Sequence, residues 1–497
     1  MQINYLTKVL LTFLLCGGST WTMGATVAIR EVNPEEKPLI TPLKPVTPPA
    51  VSPQLLRKSM QFTINASELA KRPDLLVRAL IPALYDNNTS AVKALLPIYR
   101  QLPAHQQDKL LMTWAEAIVA RGEGNLAESV HLYRELIAAQ PKLIPVRFQL
   151  AIALFENQEN EAATDQFEKL RTEPLSHELQ HVINRYLQAL LSRDQWRFSG
   201  AVTYLNEENV NNAPKKGTRI NGWTPDEEPE HAEGIGYYFS ADKKWSLVQG
   251  WFSQFTLEGR GKYFWNNKKY NEFAARAEVG IGYRNQRAEI AVKPFFEQFL
   301  YANGESRNAS MTGTLHRYSN TVGGHVVGSY WLSPRWLFSA DIETGHSVYT
   351  RKTYLDGNYY VVSPTLLFMP NARQYWFIGA DYYRKNARQG FNAFQREGIR
   401  LGWGQEWKGI STRLQLSYAH RHYKSAVTKS RTFFAPPFYA EKQKNREFGI
   451  TLSLWHRQLH WLGITPRLTW AYQQTDSNHP FAEYDKNRVY LEFGKTF

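Results

Sequence analysis

Two hydrophobic periods divide this chain. From 68 to 193 the apolar positions recur as on helices; from Arg197 onward they alternate residue by residue. In 447–454, Phe448, Ile450, Leu452 and Leu454 oppose Glu447, Gly449, Thr451 and Ser453. In 464–473, Ile464, Leu468, Trp470 and Tyr472 oppose Thr465, Arg467, Thr469 and Gln473. A period of two describes a β-strand with one apolar and one polar face. Fourteen such runs are predicted, near 197–205, 232–243, 251–260, 273–284, 288–298, 312–332, 336–346, 359–367, 374–384, 396–407, 411–423, 444–455, 464–473 and 487–497.

The connections alternate in length. Long ones fall at 206–231, 261–272, 299–311, 347–358, 385–395, 424–443 and 474–486; short ones include "SLVQG", "SPR", "FMPNAR" and "KGI". An even number of strands, with long outer loops and short periplasmic turns, is the layout of a bacterial outer-membrane barrel. Both ends of the barrel are then expected on the periplasmic side, together with the helices. In the last run, Val489, Leu491, Phe493 and Phe497 face one way and Tyr490, Glu492, Gly494 and Thr496 the other. This strand is expected to pair with the first and close the barrel. Its terminal aromatic resembles the signal read by barrel-assembly machinery, here carried by Tyr490, Gly494 and Phe497.

The helical part repeats. Ala117, Ser129, Tyr133 and Leu136 recur 34 residues later as Ala151, Ala163, Phe167 and Leu170. That is the period of the tetratricopeptide (TPR) helical hairpin. Ala117, Ala151 and Ala163 are small where paired helices cross, and Tyr133 and Phe167 are aromatic where one repeat packs on the next. Pro141 ends one unit and Pro174 comes near the end of the next; Ala83 and Tyr99 mark a weaker third copy. About three units and a closing helix near 179–191 are predicted, the alternative being a helical domain with chance spacing. The positions that would line a TPR groove are Trp114, Ile118 and Arg121, then Phe148, Ile152 and Phe155. Such a groove either binds polypeptide or packs on the linker or the barrel.

Composition sharpens the division. Residues 1–196 hold 20 Lys and Arg against 19 Asp and Glu, while 197–497 hold 39 against 26, with 55 of the 68 aromatic residues. Basic charge with aromatics raises nucleic acid as a partner. The cations form no stripe, however, and aromatics on alternating strands fit membrane-interface belts, so no nucleic-acid partner is expected. No stretch after the leader approaches the roughly 20 apolar residues of a membrane helix, so a membrane position requires a closed barrel.

Lys8, the apolar run Val9 to Leu15 and the small Gly24 and Ala25 read as a secretory signal over 1–25. Cys16 is the only cysteine, and Leu15 before it argues against a lipoprotein signal, so cleavage is expected to remove it. Seven prolines between 33 and 53 make 26–60 an extended linker. The expected domains are therefore helical over 61–195 and barrel over 196–497.

No GxSxG, HExxH, P-loop or cysteine-metal spacing occurs. His420 and His422 share a strand face, and His456 and His460 lie close in sequence, but no third ligand is evident; neither a metal, a cofactor nor an enzyme activity is expected. The lumen face is predicted to carry Arg197, Arg276, Glu278, Glu289, Lys293, Asp341, Glu343, Asp381, Arg400, Arg413, Glu447 and Arg467. A selective pore usually lines itself with one sign. Mixed signs point to internal salt bridges in a filled or gated lumen, to a passage tolerant of varied polypeptide, or simply to a stabilised wall.

With "HLYRELIAAQP" and "ALFENQENEAATDQFEKL" in the helices, and "NARQYW", "WGQEW", "LSLWHRQLH", "GITPRLT" and "EYDKNR" in the strands, the chain resembles the surface lipoprotein assembly modulator (Slam) family of Gram-negative outer membranes. The resemblance implies a periplasmic TPR domain ahead of a fourteen-stranded barrel. It also implies a role in moving surface lipoproteins, or secreted haem- and iron-acquisition proteins, across the outer membrane. It brings no catalytic residues. A TPR-plus-barrel polysaccharide exporter would want a one-signed lumen and a longer helical region, and a nutrient porin would leave the repeats unexplained.

Overall fold

The computed structural model describes residues 72–497, apart from 221, 223, 226, 303–311, 372, 428–439, 457, 460–463 and 497. The leader, the proline-rich segment and Phe497 lie outside the described residues.

Among the described residues seven α-helices precede the barrel: α1 (Pro73–Tyr85), α2 (Thr89–Arg100), α3 (Lys109–Gly122), α4 (Leu126–Ala139), α5 (Ile144–Glu156), α6 (Asn160–Arg171) and α7 (His177–Arg193). They pair as three hairpins, α1 with α2, α3 with α4 and α5 with α6, and α7 closes the array. Side chains start several of them. The Asn88 Oδ1 accepts from the Ala91 amide at 3.0 Å, and Asp108 Oδ1 accepts from the Leu110 amide at 2.7 Å. These bonds satisfy amides that a helix leaves without partners in its first turn.

The 34-residue period has a physical basis at both ends of each hairpin. Inside it, the buried Ser129 hydroxyl donates to the Ala117 carbonyl at 2.8 Å, so the two helices touch backbone to side chain. At the turn, Gly124 has φ of 78° and Gln158, 34 residues on, has φ of 66°. Both hairpins thus turn through the left-handed region, once with glycine and once without. Tyr133 and Phe167, fully buried, fill the spaces between successive repeats.

From Arg197 onward the described residues form fourteen strands. They are β1 (Arg197–Glu207), β2 (Ala232–Ser246), β3 (Trp251–Phe264), β4 (Glu272–Arg284), β5 (Ala288–Ala302), β6 (Leu315–Ser333) and β7 (Trp336–Tyr349). The second half holds β8 (Gly357–Asn371), β9 (Gln374–Lys385), β10 (Phe394–Glu406), β11 (Ile410–Tyr423), β12 (Lys444–His456), β13 (Thr465–Ser477) and β14 (Tyr484–Thr496). Each pairs antiparallel with its sequence neighbours, and β14 pairs with β1, so the sheet is a closed barrel.

Every predicted run is a strand, but several strands reach further toward the long loops than their alternation does. β3 continues through Gly259, Arg260, Gly261 and Lys262. There the outward positions are glycines, so the apolar signal stops while the backbone ladder goes on. Elsewhere the outward face is exposed and apolar, as at Val279, Ile281, Ile378 and Ile399. Trp245, Trp251, Trp336 and Trp376 ring it near the short turns, and Tyr204, Tyr263, Tyr360 and Tyr418 near the long loops. Two aromatic girdles flanking an apolar band mark where a membrane begins and ends.

Candidate functional site

The inward face is a set of matched charges. Glu278 of β4, almost fully buried, accepts from Arg276 Nε at 2.7 Å and lies 2.5 Å from Lys293 Nζ of β5 and 3.2 Å from His325 Nδ1 of β6. Arg276 also donates to Glu343 of β7 at 2.9 Å, and the Tyr359 hydroxyl of β8 donates to that carboxylate at 2.6 Å. His325 Nε2 lies 3.2 Å from the Asp341 carboxylate. The Arg276 guanidinium rests 3.7 Å from the centre of the Phe295 ring, which keeps water from its face.

Further groups repeat the arrangement around the wall. Arg400 Nε donates to Asp381 at 2.5 Å, and its Nη2 donates to the Ser363 and Thr365 hydroxyls. Glu447 sits between Arg396 at 2.7 Å and Arg421 at 2.6 Å. Arg197 pairs with Asp242, which also accepts from Thr256 at 3.0 Å. Arg467 lies 3.5 Å from Glu492 and over the Trp455 ring, while Arg413 Nε donates to the Tyr375 hydroxyl at 2.7 Å. Buried charges persist only when paired and hydrogen-bonded, so the alternation of signs reflects pairing between neighbouring and nearby strands along the wall.

The structure places the six groove positions unevenly. Trp114, Ile118, Ile152 and Phe155 are buried in the helical core, whereas an open groove would leave them exposed. The cause is α7. Its Tyr186 packs edge-on against Phe155 with ring centres 5.0 Å apart, and Arg193 lies over the other part of that ring at 3.8 Å. Arg121 is held by Glu156 through two bonds of 2.8 and 2.7 Å and by Gln149 at 2.9 Å. Phe148 is half-buried against Phe167. What remains open is a cleft lined by Asn87, Thr89, Arg121, Gly122 and Glu156, with Tyr85 exposed nearby against Trp114. Ala117, Tyr133, Ala151, Ala163 and Phe167 all sit in the core.

Burial acts on the ionisable groups of this core. It pushes the Tyr186 hydroxyl up to about 12 and the Tyr133 hydroxyl higher still, so neither ionises at neutral pH. Burial, with Arg284 nearby, brings the Arg193 guanidinium down to about 10, far enough above neutrality that it stays charged.

A second constellation joins helices to barrel, and no periodicity announces it. Asp194, just past α7, accepts from the Ser246 amide and hydroxyl, each at 2.7 Å, and lies 3.5 Å from Arg284. Arg284 donates to the Ser246 hydroxyl at 2.6 Å, and Asn160, at the start of α6, donates to it at 3.0 Å. Arg193 holds Asn160 in place at 2.7 Å. The Lys243 ammonium meets the Asp194 carbonyl. The helical array therefore rests on the barrel rim where β2 turns into β3 and β4 ends. Its signal in sequence is only a few polar residues at element ends, bonded to one another across separations of 33 to 90 residues.

His420 and His422 stack in parallel on the outward face above Tyr418, at 6.2 Å, away from the lumen. Among the described residues no group of three metal-ligating side chains is placed to hold an ion. His460 lies outside the described residues.

Fold and lumen define a class: an outer-membrane-type β-barrel with TPR repeats bonded to one rim. The sequence model "Surface lipoprotein assembly modifier" matches residues 196–497, and the one for its N-terminal TPR repeats matches 62–167. The chain belongs to the surface lipoprotein assembly modifier family, the family its motifs resemble. It is 50% identical over 459 residues to a family member from Pasteurella multocida, covering 90% of this chain and 88% of that one. It is 48% identical to surface lipoprotein assembly modifier 1 of Haemophilus influenzae, covering 90% of each. A more distant relative, the hemophilin secretion modulator of Acinetobacter baumannii, is 23% identical over 88% of this chain and 89% of its own length.

Proposed function

We propose that the protein is an outer-membrane translocator that delivers surface lipoproteins, or a related soluble client, to the outside of a Gram-negative cell. The observation that carries this reading is the union of a closed fourteen-stranded barrel with a repeat domain bonded to its rim through Asp194, Ser246 and Arg284. A repeat array there can meet a client before the lumen does, and mixed internal charge suits a passage used by varied polypeptide. The names of the relatives supply the client classes: surface lipoproteins, and in one relative a hemophilin.

In this reading 1–25 is a signal peptide, 26–60 a linker, 61–195 a periplasmic helical domain and 196–497 the barrel. Tyr490, Gly494 and Phe497 serve the barrel-assembly machinery, and outer-membrane lipids surround the outward face. The chain has no P-loop, so folding of the client outside supplies the bias, at about 25 cal/mol for each Å² of apolar surface buried there.

Deletion of the protein, followed by protease shaving of intact cells, tests this. The client should still be made and lipidated but be absent from the surface, and the wild-type gene should restore it. Equal shaving with and without the protein would overturn the reading. Large, steady conductance of the purified barrel together with normal client display would favour a nutrient pore.

A further inference from the structure

The ladder that closes the barrel is short. β1 pairs with β2 along its whole length, from Arg197 to Glu207, and β14 pairs with β13 from Tyr484 to Gly494. Between β1 and β14, among the described residues, pairing runs only from Ser199 to Thr203 and from Glu492 to Thr496. This paired half lies at the end of the barrel that carries the helices. Beyond Thr203 the ladder does not continue, although β1 runs on to Glu207 and β14 begins at Tyr484.

Side chains bridge the stretch instead. Lys486 lies 3.7 Å from the buried Glu207 carboxylate, and Lys215 of the following loop lies 2.9 Å from Asp485. On the outward face the same stretch presents Tyr204, Val489 and Leu491, exposed and apolar. A wall that is closed by backbone at one end, by ion pairs at the other, and faces hydrocarbon parts there at least cost, because it has the fewest ladder bonds to give up.

We propose that this seam is the exit through which the acyl chains of a lipid-anchored client leave the barrel sideways for the outer leaflet, while the polypeptide follows the lumen. The proposal rests on the translocator reading above. Its chemistry is that of partition. Acyl chains gain free energy with every methylene placed in hydrocarbon. A route wholly inside would drag them past Arg276 and Glu343, Arg400 and Asp381, and Arg421 and Glu447, whose charges need polar partners. Opening next to Tyr204 and Leu491 lets the chains pass directly into lipid.

A cross-link across the seam tests this. Thr203 and Glu492 are register partners at the upper end of the ladder. The pair Thr203→Cys with Glu492→Cys is introduced into the full-length protein, in a strain lacking the native copy. Ser339→Cys with Thr365→Cys, partners between β7 and β8, serves as a lock elsewhere in the wall. Wild-type protein must first restore client display; failure there sinks the translocator reading and leaves the seam out of account. With the seam oxidised, surface signal of the lipidated client should fall at least tenfold and return on reduction. The same client with its acylated cysteine replaced should cross at an unchanged level, and the β7–β8 lock should affect neither. Undiminished display of the lipidated client through a fully cross-linked seam overturns the proposal. Equal loss of both client forms also overturns it, since the polypeptide and not the anchor would then need the seam.

Discussion

Arg276 on β4 reaches past β5 and β6 to Glu343 on β7, at 2.9 Å. A side chain that ties together strands three apart lies across the lumen as a chord. Because Arg276 also holds Glu278, which holds Lys293 and His325, one network spans β4 to β8. It narrows the passage and stiffens this part of the wall.

Removing one charge from that network leaves the others buried without their partner. Glu278→Gln should lower barrel stability by about 3–5 kcal/mol, the usual cost of breaking a buried ion pair from one side. The checking measurement is the temperature at which the folded band converts to the unfolded one on a gel, which should drop relative to wild type.

Arg276→Ala removes the chord and the cover over Phe295. Single-channel conductance of the purified barrel in planar bilayers should rise well above wild type. An exposed pair such as Lys215 and Asp485 provides the comparison; Lys215→Ala should change conductance little, since surface pairs contribute about 0–1 kcal/mol.

The contact between helices and rim makes a separable prediction. Asp194→Ala removes the acceptor of both Ser246 bonds. Limited trypsin digestion of the protein in detergent should release the helical domain several-fold faster. The heat-modifiable gel shift of the barrel should stay as it is.

Gln158 occupies the left-handed turn that Gly124 occupies in the preceding repeat. Gln158→Gly should stabilise the helical domain by up to about 1 kcal/mol, because a side chain in that region costs roughly 1–2 kcal/mol. Gly124→Ala should do the reverse. Thermal melting followed at a helical wavelength compares the two.

Loop lengths set the expected orientation. An epitope tag within 206–231 or 424–443 should be reached by antibody on intact cells, and a tag between Asn371 and Gln374 only after permeabilisation. Labelling of the latter on intact cells would reverse the barrel.

The strands were legible because a wall in lipid must be apolar on one side at every second residue, a demand each strand meets within its own sequence. Charge partners were not legible in the same way. Arg276 and Glu343 are 67 residues apart, and only the curvature of the closed sheet brings them together. His325 gave no signal at all, since a lone histidine in "TVGGHVVG" shows neither period nor motif. In the helices, the 34-residue spacing carries the packing of Tyr133 and Phe167, which depends on neighbours in sequence. It carries nothing about α7, a single non-repeating element that covers Phe155.

The rim contact leaves very little chain between the two halves of the molecule. α7 ends at Arg193 and β1 begins at Arg197, with Trp196 already stacked on Phe198 at 5.9 Å. Three residues cannot take up slack. Any force on the helices therefore arrives at the foot of β1 as a lever arm delivers torque to a hinge pin. The Asp194 contact fixes the fulcrum, and the strand that receives the load is one of the two that meet at the shortest ladder of the wall.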